Sequence, residues 1–198
     1  NILKTDLLNK EQLEKKLNIK FKKKSLIINL QPECSAKLTK NILVETLSAL
    51  QLQKDKTLIF TMPGSDLYKD IIFYLIKRFV KKNNNSFFFK SLGSIQFLSC
   101  LNFVDGMVGN SSSGLLEMPS FKKPTINIGD RQLGRIKSAS VIDTRPKKKL
   151  ILKSINYMYT SKFQKKLKNT KNPYGKGKSV EKSVKILKKI NLKDFNNK

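Results

Sequence analysis

Short, mainly apolar runs alternate with stretches of helical spacing along this chain, and that alternation limits the folds open to it. Leu26-Ile27-Ile28-Asn29-Leu30, residues 57–62, Phe87-Phe88-Phe89, residues 103–108, residues 125–128 and the brief Val141-Ile142 have the length and composition of strands buried on both faces. Residues 4–17 between them carry Leu7, Leu8, Leu13 and Leu17 at amphipathic-helix positions, and residues 38–52 repeat the pattern. Asp66 is a candidate N-cap for a helix running to about Lys82, with Leu67, Ile71, Leu75, Ile76 and Phe79 on one face. Residues 94–101, 150–158 and 180–190 also read as helical, and residues 193–198 as a frayed tail. The alternation predicts an α/β fold, a Rossmann-like doubly wound parallel sheet. Ligands in such sheets bind outside the carboxyl ends of the strands. The loops at Gln31-Pro32, Pro63-Gly64, Ser91-Leu92-Gly93, Gly109 to Gly114 and Gly129-Asp130-Arg131 fall at that edge.

Composition excludes several chemistries. The 198 residues contain no histidine, which removes the usual general base, the usual zinc ligand and every histidine-based triad. Cys34 and Cys100 are too few for a disulfide framework, and no metal or cofactor is expected. No run of about 20 apolar residues marks a membrane span. A cytoplasmic location is the default for such a chain. The formal charge of +27 suggests nucleic acid, but only Arg78, Arg131, Arg135 and Arg145 are arginine; the other 37 cations are lysine, spread along the whole chain. Nucleic-acid readers favour arginine for bidentate contacts, so nucleic acid is discounted as a partner and the lysines read as a solvated surface.

The stretch Gly109-Asn110-Ser111-Ser112-Ser113-Gly114-Leu115-Leu116-Glu117 follows one of the strands and enters a helical segment. Small hydroxyl residues at a strand-to-helix turn leave backbone N–H groups uncovered and add O–H donors, which suits a phosphate or pyrophosphate. Glu117, about one helical turn further on, carries a carboxylate able to accept from a sugar diol. One serine would suffice to cap a helix. Three of them together with Glu117 suggest a nucleotide-sugar site.

The same run continues through Glu117-Met118-Pro119-Ser120-Phe121, Pro124 to Gln132, Gly134-Arg135 and Val141-Ile142-Asp143. It closely resembles the hydrolysing UDP-N-acetylglucosamine 2-epimerases, above all the branch that feeds sialic-acid-type and bacillosamine-type sugars. Lys90-Ser91-Leu92-Gly93 and Asn172-Pro173-Tyr174-Gly175 match in the right order, and the resemblance covers roughly residues 25–190. It implies one half of a glycosyltransferase-B-like, two-domain fold: the C-terminal, nucleotide-binding half. Residues 1–24 then correspond to a linker helix from a missing N-terminal domain, residues 25–190 to the UDP-binding domain and residues 191–198 to a disordered tail.

That resemblance assigns roles. Ser111, Ser112 and Ser113 would hold the UDP diphosphate, with Arg131 and Arg135 adding charge near it or fixing their loop. Glu117 would accept from the ribose hydroxyls, and Phe97 would stack on uracil. On the residues alone, Phe97 reads equally well as core packing, and the two arginines as partners of Asp130 or Asp143. Catalytic residues would come from the missing half. The partners implied are UDP-N-acetylglucosamine or a related nucleotide sugar and that N-terminal half; a homo-oligomer is compatible with both. The implied reaction expels UDP and yields a free, 2-epimerised N-acetylhexosamine for nonulosonic-acid and surface-polysaccharide synthesis. The chain departs from the family pattern at four places: Gln31 stands where histidine is usual, Gly64 where asparagine is, Ser94 where arginine is frequent, and Lys176 where an acidic residue is expected. An inactive UDP-binding module or split subunit, a glycosyltransferase of the same fold and a basic nucleic-acid binder remain the alternatives.

Overall fold

The computed structural model describes residues 5–64, 66–175, 177 and 179–190. The tail 191–198, Lys176 and the first residue of the expected 4–17 helix lie outside the described residues. Six strands, β1 (Lys24–Asn29), β2 (Lys56–Thr61), β3 (Ser86–Phe89), β4 (Gly106–Gly109), β5 (Thr125–Ile128) and β6 (Val141–Thr144), form one sheet in the order β3-β2-β1-β4-β5-β6. Every neighbouring pair is parallel. This is the doubly wound topology expected from the alternating pattern. The winding reverses across the sheet between β1 and β4, the switch point at which doubly wound folds place a ligand crevice at the carboxyl edge.

Helices cover both faces, which is why the central strands read as mainly apolar runs. On one face α2 (Ala36–Leu50), α3 (Lys69–Lys81), α6 (Lys148–Met158) and α7 (Ser161–Lys168) pack against Leu26, Ile28, Leu58, Phe60, Val108, Ile126 and Ile128. On the other, α1 (Lys10–Leu17) and α4 (Gly93–Phe103) pack with Met118 against Ile27, Ile59 and Met107. Alternate residues of a single strand therefore serve different cores, as the period of two requires. Phe60 and Phe163, essentially solvent-free, each contribute about 2–3 kcal/mol through burial. Burial also pushes the Cys100 thiol up to about 12.

Several elements differ from expectation. Asp66 does not cap α3. That helix begins at Lys69 after Tyr68, which sits at φ 65° with no side-chain cap, and Leu67 is left 74% exposed. The left-handed residue turns the chain more sharply than a helix starting at Asp66 would. Helix α1 starts late, at the Asn9–Gln12 capping box, and the backbone N–H of Leu8 donates to Ser99 Oγ at 3.0 Å. Helix α7, capped by Thr160 and buried through Phe163 and Leu167, lies in a segment whose lysines conceal its short apolar face. Helix α8 (Ser179–Leu187) has no buried residue. No helix among the described residues is long and apolar enough to cross a membrane.

β1 leaves no room for a side chain on β4 at Gly109, φ +153°, where an added Cβ would fall 1.9 Å from the Asn29 carbonyl oxygen. Gly109→Ala should therefore cost about 3 kcal/mol or more, read as a lowered midpoint in chemical denaturation. An unchanged midpoint would mean that the two strands can part without penalty. Thiol labelling at mildly alkaline pH should modify the exposed Cys34 and leave Cys100 untouched until the protein unfolds.

Candidate functional site

The crevice at the switch point is walled by the loop after β1, the serine loop after β4 and the loop after β5. The serine loop is built by exclusion of Cβ atoms. Gly109 permits the approach to Asn29. Gly114 lets the next turn sit against β5, since a Cβ there would lie 2.4 Å from Thr125 Cγ2. Thr125 Oγ1 in turn donates to the Gly114 carbonyl at 2.8 Å.

The expected helix after the serines is a single turn, α5 (Ser113–Leu116), followed at once by a 3-10 turn (Met118–Phe121) containing Pro119. Four residues generate little macrodipole, so any grip on an anion rests on local donors. Those donors are uncommitted. Among the described residues, the backbone N–H groups of Ser111 and Ser112 and the hydroxyls of Ser112 and Ser113 bond no protein atom; Ser111 Oγ accepts from the Ser113 N–H at 3.3 Å. Glu117 closes the turn, half-buried, and its Oε2 is sealed from solvent with no hydrogen-bond partner. A buried carboxylate oxygen without a donor is costly, and a hydroxyl donor at this position would offset that cost.

Phe97, on α4, is partly buried against the second core and leaves part of its ring free. Arg131 is exposed, with its guanidinium 3.5 Å from the Asn110 carbonyl, at the limit of a hydrogen bond. Arg135 is exposed on the same loop. Neither is in an ion pair among the described residues. Asp143 is taken instead by Lys137 at 2.8 Å and by the Asn127 amide at 2.7 Å. A cavity of about 240 Å³ beside this loop is lined by Asp130, Lys137, Asp143 and Arg145, among others. Gln31, in the position where histidine was expected, donates through Nε2 to Asn29 Oδ1 at 2.8 Å.

Four further residues, present in the quoted motifs but given no role there, organise the site. Asn110, wholly buried, accepts from the Gln31 N–H at 2.6 Å and donates to the Gln31 carbonyl at 2.9 Å and to Glu33 Oε1 at 2.8 Å. Gln132, also wholly buried, donates to the Asn110 carbonyl at 2.7 Å. Asn172 donates to the Leu116 carbonyl and to Ser120 Oγ, both at 2.8 Å, and Tyr174 Oη donates to the Ile136 carbonyl at 3.0 Å. The Asn-Pro-Tyr-Gly loop is thereby tied to the turn bearing Glu117 and to the loop bearing Arg135. In sequence these are polar loop residues of the quoted motifs; only pairings between distant segments reveal what they hold, and that Asn110 and Gln132 are buried.

Comparison with known proteins follows the same lines. The family described as UDP-N-acetylglucosamine 2-epimerase matches residues 2–188. The polysialic acid biosynthesis protein P7 of Escherichia coli is 35% identical over 189 residues, covering 95% of this chain and 48% of that protein. The GDP/UDP-N,N'-diacetylbacillosamine 2-epimerase (hydrolyzing) of Campylobacter jejuni is 38% identical over 141 residues, covering 70% of this chain and 37% of that protein. The chain thus spans about half the length, or less, of these curated relatives. Among solved structures, the Methanocaldococcus jannaschii UDP-GlcNAc 2-epimerase in complex with UDP-GlcNAc and UDP superposes with a TM-score of 0.69 at 22% identity, covering 91% of this chain and 49% of that one. The S. aureus MnaA–UDP co-structure superposes with a TM-score of 0.68 at 15% identity, covering 91% and 48%. At these identities the two structures speak for the fold.

The contact between α5 and β5 can be tested by a pair of substitutions. Gly114→Ala should lower the unfolding midpoint, and Thr125→Ser in the same chain, which removes Cγ2 and keeps the hydroxyl, should restore most of it. Additive losses in the double variant would show that the clash is not what makes Gly114 necessary.

Proposed function

Because the chain belongs to the UDP-N-acetylglucosamine 2-epimerase family, we propose that it is the nucleotide-gripping half of a hydrolysing 2-epimerase acting on UDP-N-acetylglucosamine or a related nucleotide sugar. The observation that carries this reading is the pairing, on one turn, of uncommitted donors at Ser111 to Ser113 with the unpartnered carboxylate of Glu117. The donors suit a diphosphate and the carboxylate suits a ribose diol. Arg131 and Arg135, in no ion pair among the described residues, would add positive charge beside the phosphates, and Phe97 would offer its ring to uracil.

In the proposed reaction a base removes the proton from C2 of the sugar, the C1–O bond to UDP breaks, and a C1–C2 double bond forms. Water then adds its hydroxyl to C1, and a proton returns to the opposite face of C2, releasing the 2-epimer as a free sugar. The role of this half is to stabilise charge that grows on the leaving diphosphate as the C1–O bond breaks. The base and acid belong to the other half of the relatives' length, joined through the segment 1–24, whose helix α1 docks on α4. The chain carries no histidine, and Gln31, where the family pattern has one, donates to Asn29 Oδ1. We place the protein in the cytoplasm, with its product entering nonulosonic-acid and surface-polysaccharide synthesis.

Calorimetric titration of the chain with UDP should show saturable binding that Glu117→Ala weakens by roughly 10- to 100-fold, the loss expected for hydrogen bonds to a charged acceptor. Absence of UDP binding together with strongly salt-dependent binding of oligonucleotides would replace this reading with a nucleic-acid one.

A further inference from the structure

We propose that Asn110 is a positioning residue for the diphosphate grip: its side chain latches the loop after β1 to the serine loop and so holds the Ser111 and Ser112 N–H groups open to an anion. The proposal rests on the nucleotide reading above. It starts from complete satisfaction of a buried amide. Asn110 Oδ1 accepts from the Gln31 N–H, and both Nδ2 hydrogens are used, one on the Gln31 carbonyl and one on Glu33 Oε1. Its own N–H donates to the Asn29 carbonyl at 3.3 Å, and its carbonyl accepts from Gln132 Nε2. One residue therefore joins the three loops that wall the crevice, and it directly precedes the serines whose amides are uncommitted.

The contrast with its neighbours is informative. Asn110 spends every donor on protein, whereas Ser111 and Ser112 spend no backbone N–H on protein. A loop entering a helical turn would ordinarily relax so that its N–H groups found partners. With Asn110 pinned from both sides, the chain direction at Ser111 is set, and relaxation would break the paired bonds to Gln31. Glu33 has a structural anchor of its own, because its N–H donates to Thr39 Oγ1 at 2.9 Å, so the latch is tied to the first turn of α2. The charged groups within hydrogen-bond reach of Asn110 are Glu33, from the loop after β1, and Arg131, from the loop after β5.

Asn110→Asp tests the latch with almost no change in shape. It replaces the donating Nδ2 with an oxygen facing the Gln31 carbonyl and Glu33 Oε1, so three acceptors meet at neutral pH. Two neighbouring carboxyls share a proton with a raised affinity, so acidification returns a donor to the position of the lost amide. The readout is UDP affinity relative to the parent chain from about pH 5 to about pH 8, with unfolding midpoints measured in parallel. Asn110→Asp should bind UDP roughly tenfold more weakly or worse at the upper end, and the deficit should shrink as pH falls. Adding Glu33→Gln supplies an amide donor to the new carboxylate and should recover most of the affinity at neutral pH.

A purely fold-supporting role predicts a deficit that follows the unfolding midpoint, is flat with pH and is not repaired by Glu33→Gln; that result overturns the proposal. So does unaltered affinity in Asn110→Asp. If Asn110→Asp does not fold, Glu33→Ala, which keeps Asn110 and removes one of its acceptors, should still weaken UDP several-fold, and unaltered affinity there overturns the latch. Failure of the parent chain to bind UDP overturns the nucleotide reading itself and the latch with it, whereas binding by the parent with no effect of either substitution removes the latch alone.

Discussion

The meeting of β1 and β4 at Gly109 and Asn29 is the contact on which the rest of the structure depends. The hydrogen atom on Gly109 occupies space that any side chain would contest with the Asn29 carbonyl. Because the two strands can close there, the sheet stays continuous through its switch point, and the loops that follow each strand leave from adjacent positions. The bonds from Asn110 to Gln31 and Glu33, and from Gln132 to Asn110, become geometrically available only after that closure. The crevice is thus a consequence of a packing constraint between two backbones.

The site is economical in helix. A phosphate-binding loop in a doubly wound fold is often thought of in terms of the dipole behind it, yet α5 is one turn long and is succeeded by a 3-10 turn. What the fold supplies instead is a set of polar groups left without a partner among the described residues. Their presence beside the fully satisfied Asn110 is a local imbalance of hydrogen bonding, and such imbalances in native structures call for a ligand or another specific explanation. The orphaned oxygen of Glu117 belongs to the same imbalance.

The charge of +27 has less bearing on the site than its size suggests. Most of the lysines lie on exposed helix faces and loops. Two of the four arginines, Arg131 and Arg135, stand on the loop after β5 and are in no ion pair among the described residues, while Lys137 and Asn127 hold Asp143. These cations beside unpaired donors give the crevice a positive character independent of the net charge. The chain belongs to the 2-epimerase family and spans about half the length of the curated relatives it matches.

The sequence by itself determined the strands and most of the helices, because the apolar runs and helical spacings are local periodicities imposed by burial on two faces. It also located the serine turn, Glu117 and the family, since short motifs survive without knowledge of their surroundings. It misplaced the start of α3, where a left-handed Tyr68 overrode the capping preference of Asp66, and it passed over α7, whose short apolar face is diluted by lysine. It quoted Asn110, Gln132 and Asn172 within motifs but assigned them no role. Tertiary structure alone decided those roles, as it decided that Asp143 goes to Lys137. The physical reason is range: a hydrogen bond between residues 79 positions apart, such as Gln31 to Asn110, leaves no periodicity in the chain and exists only once the strands that carry both ends have paired.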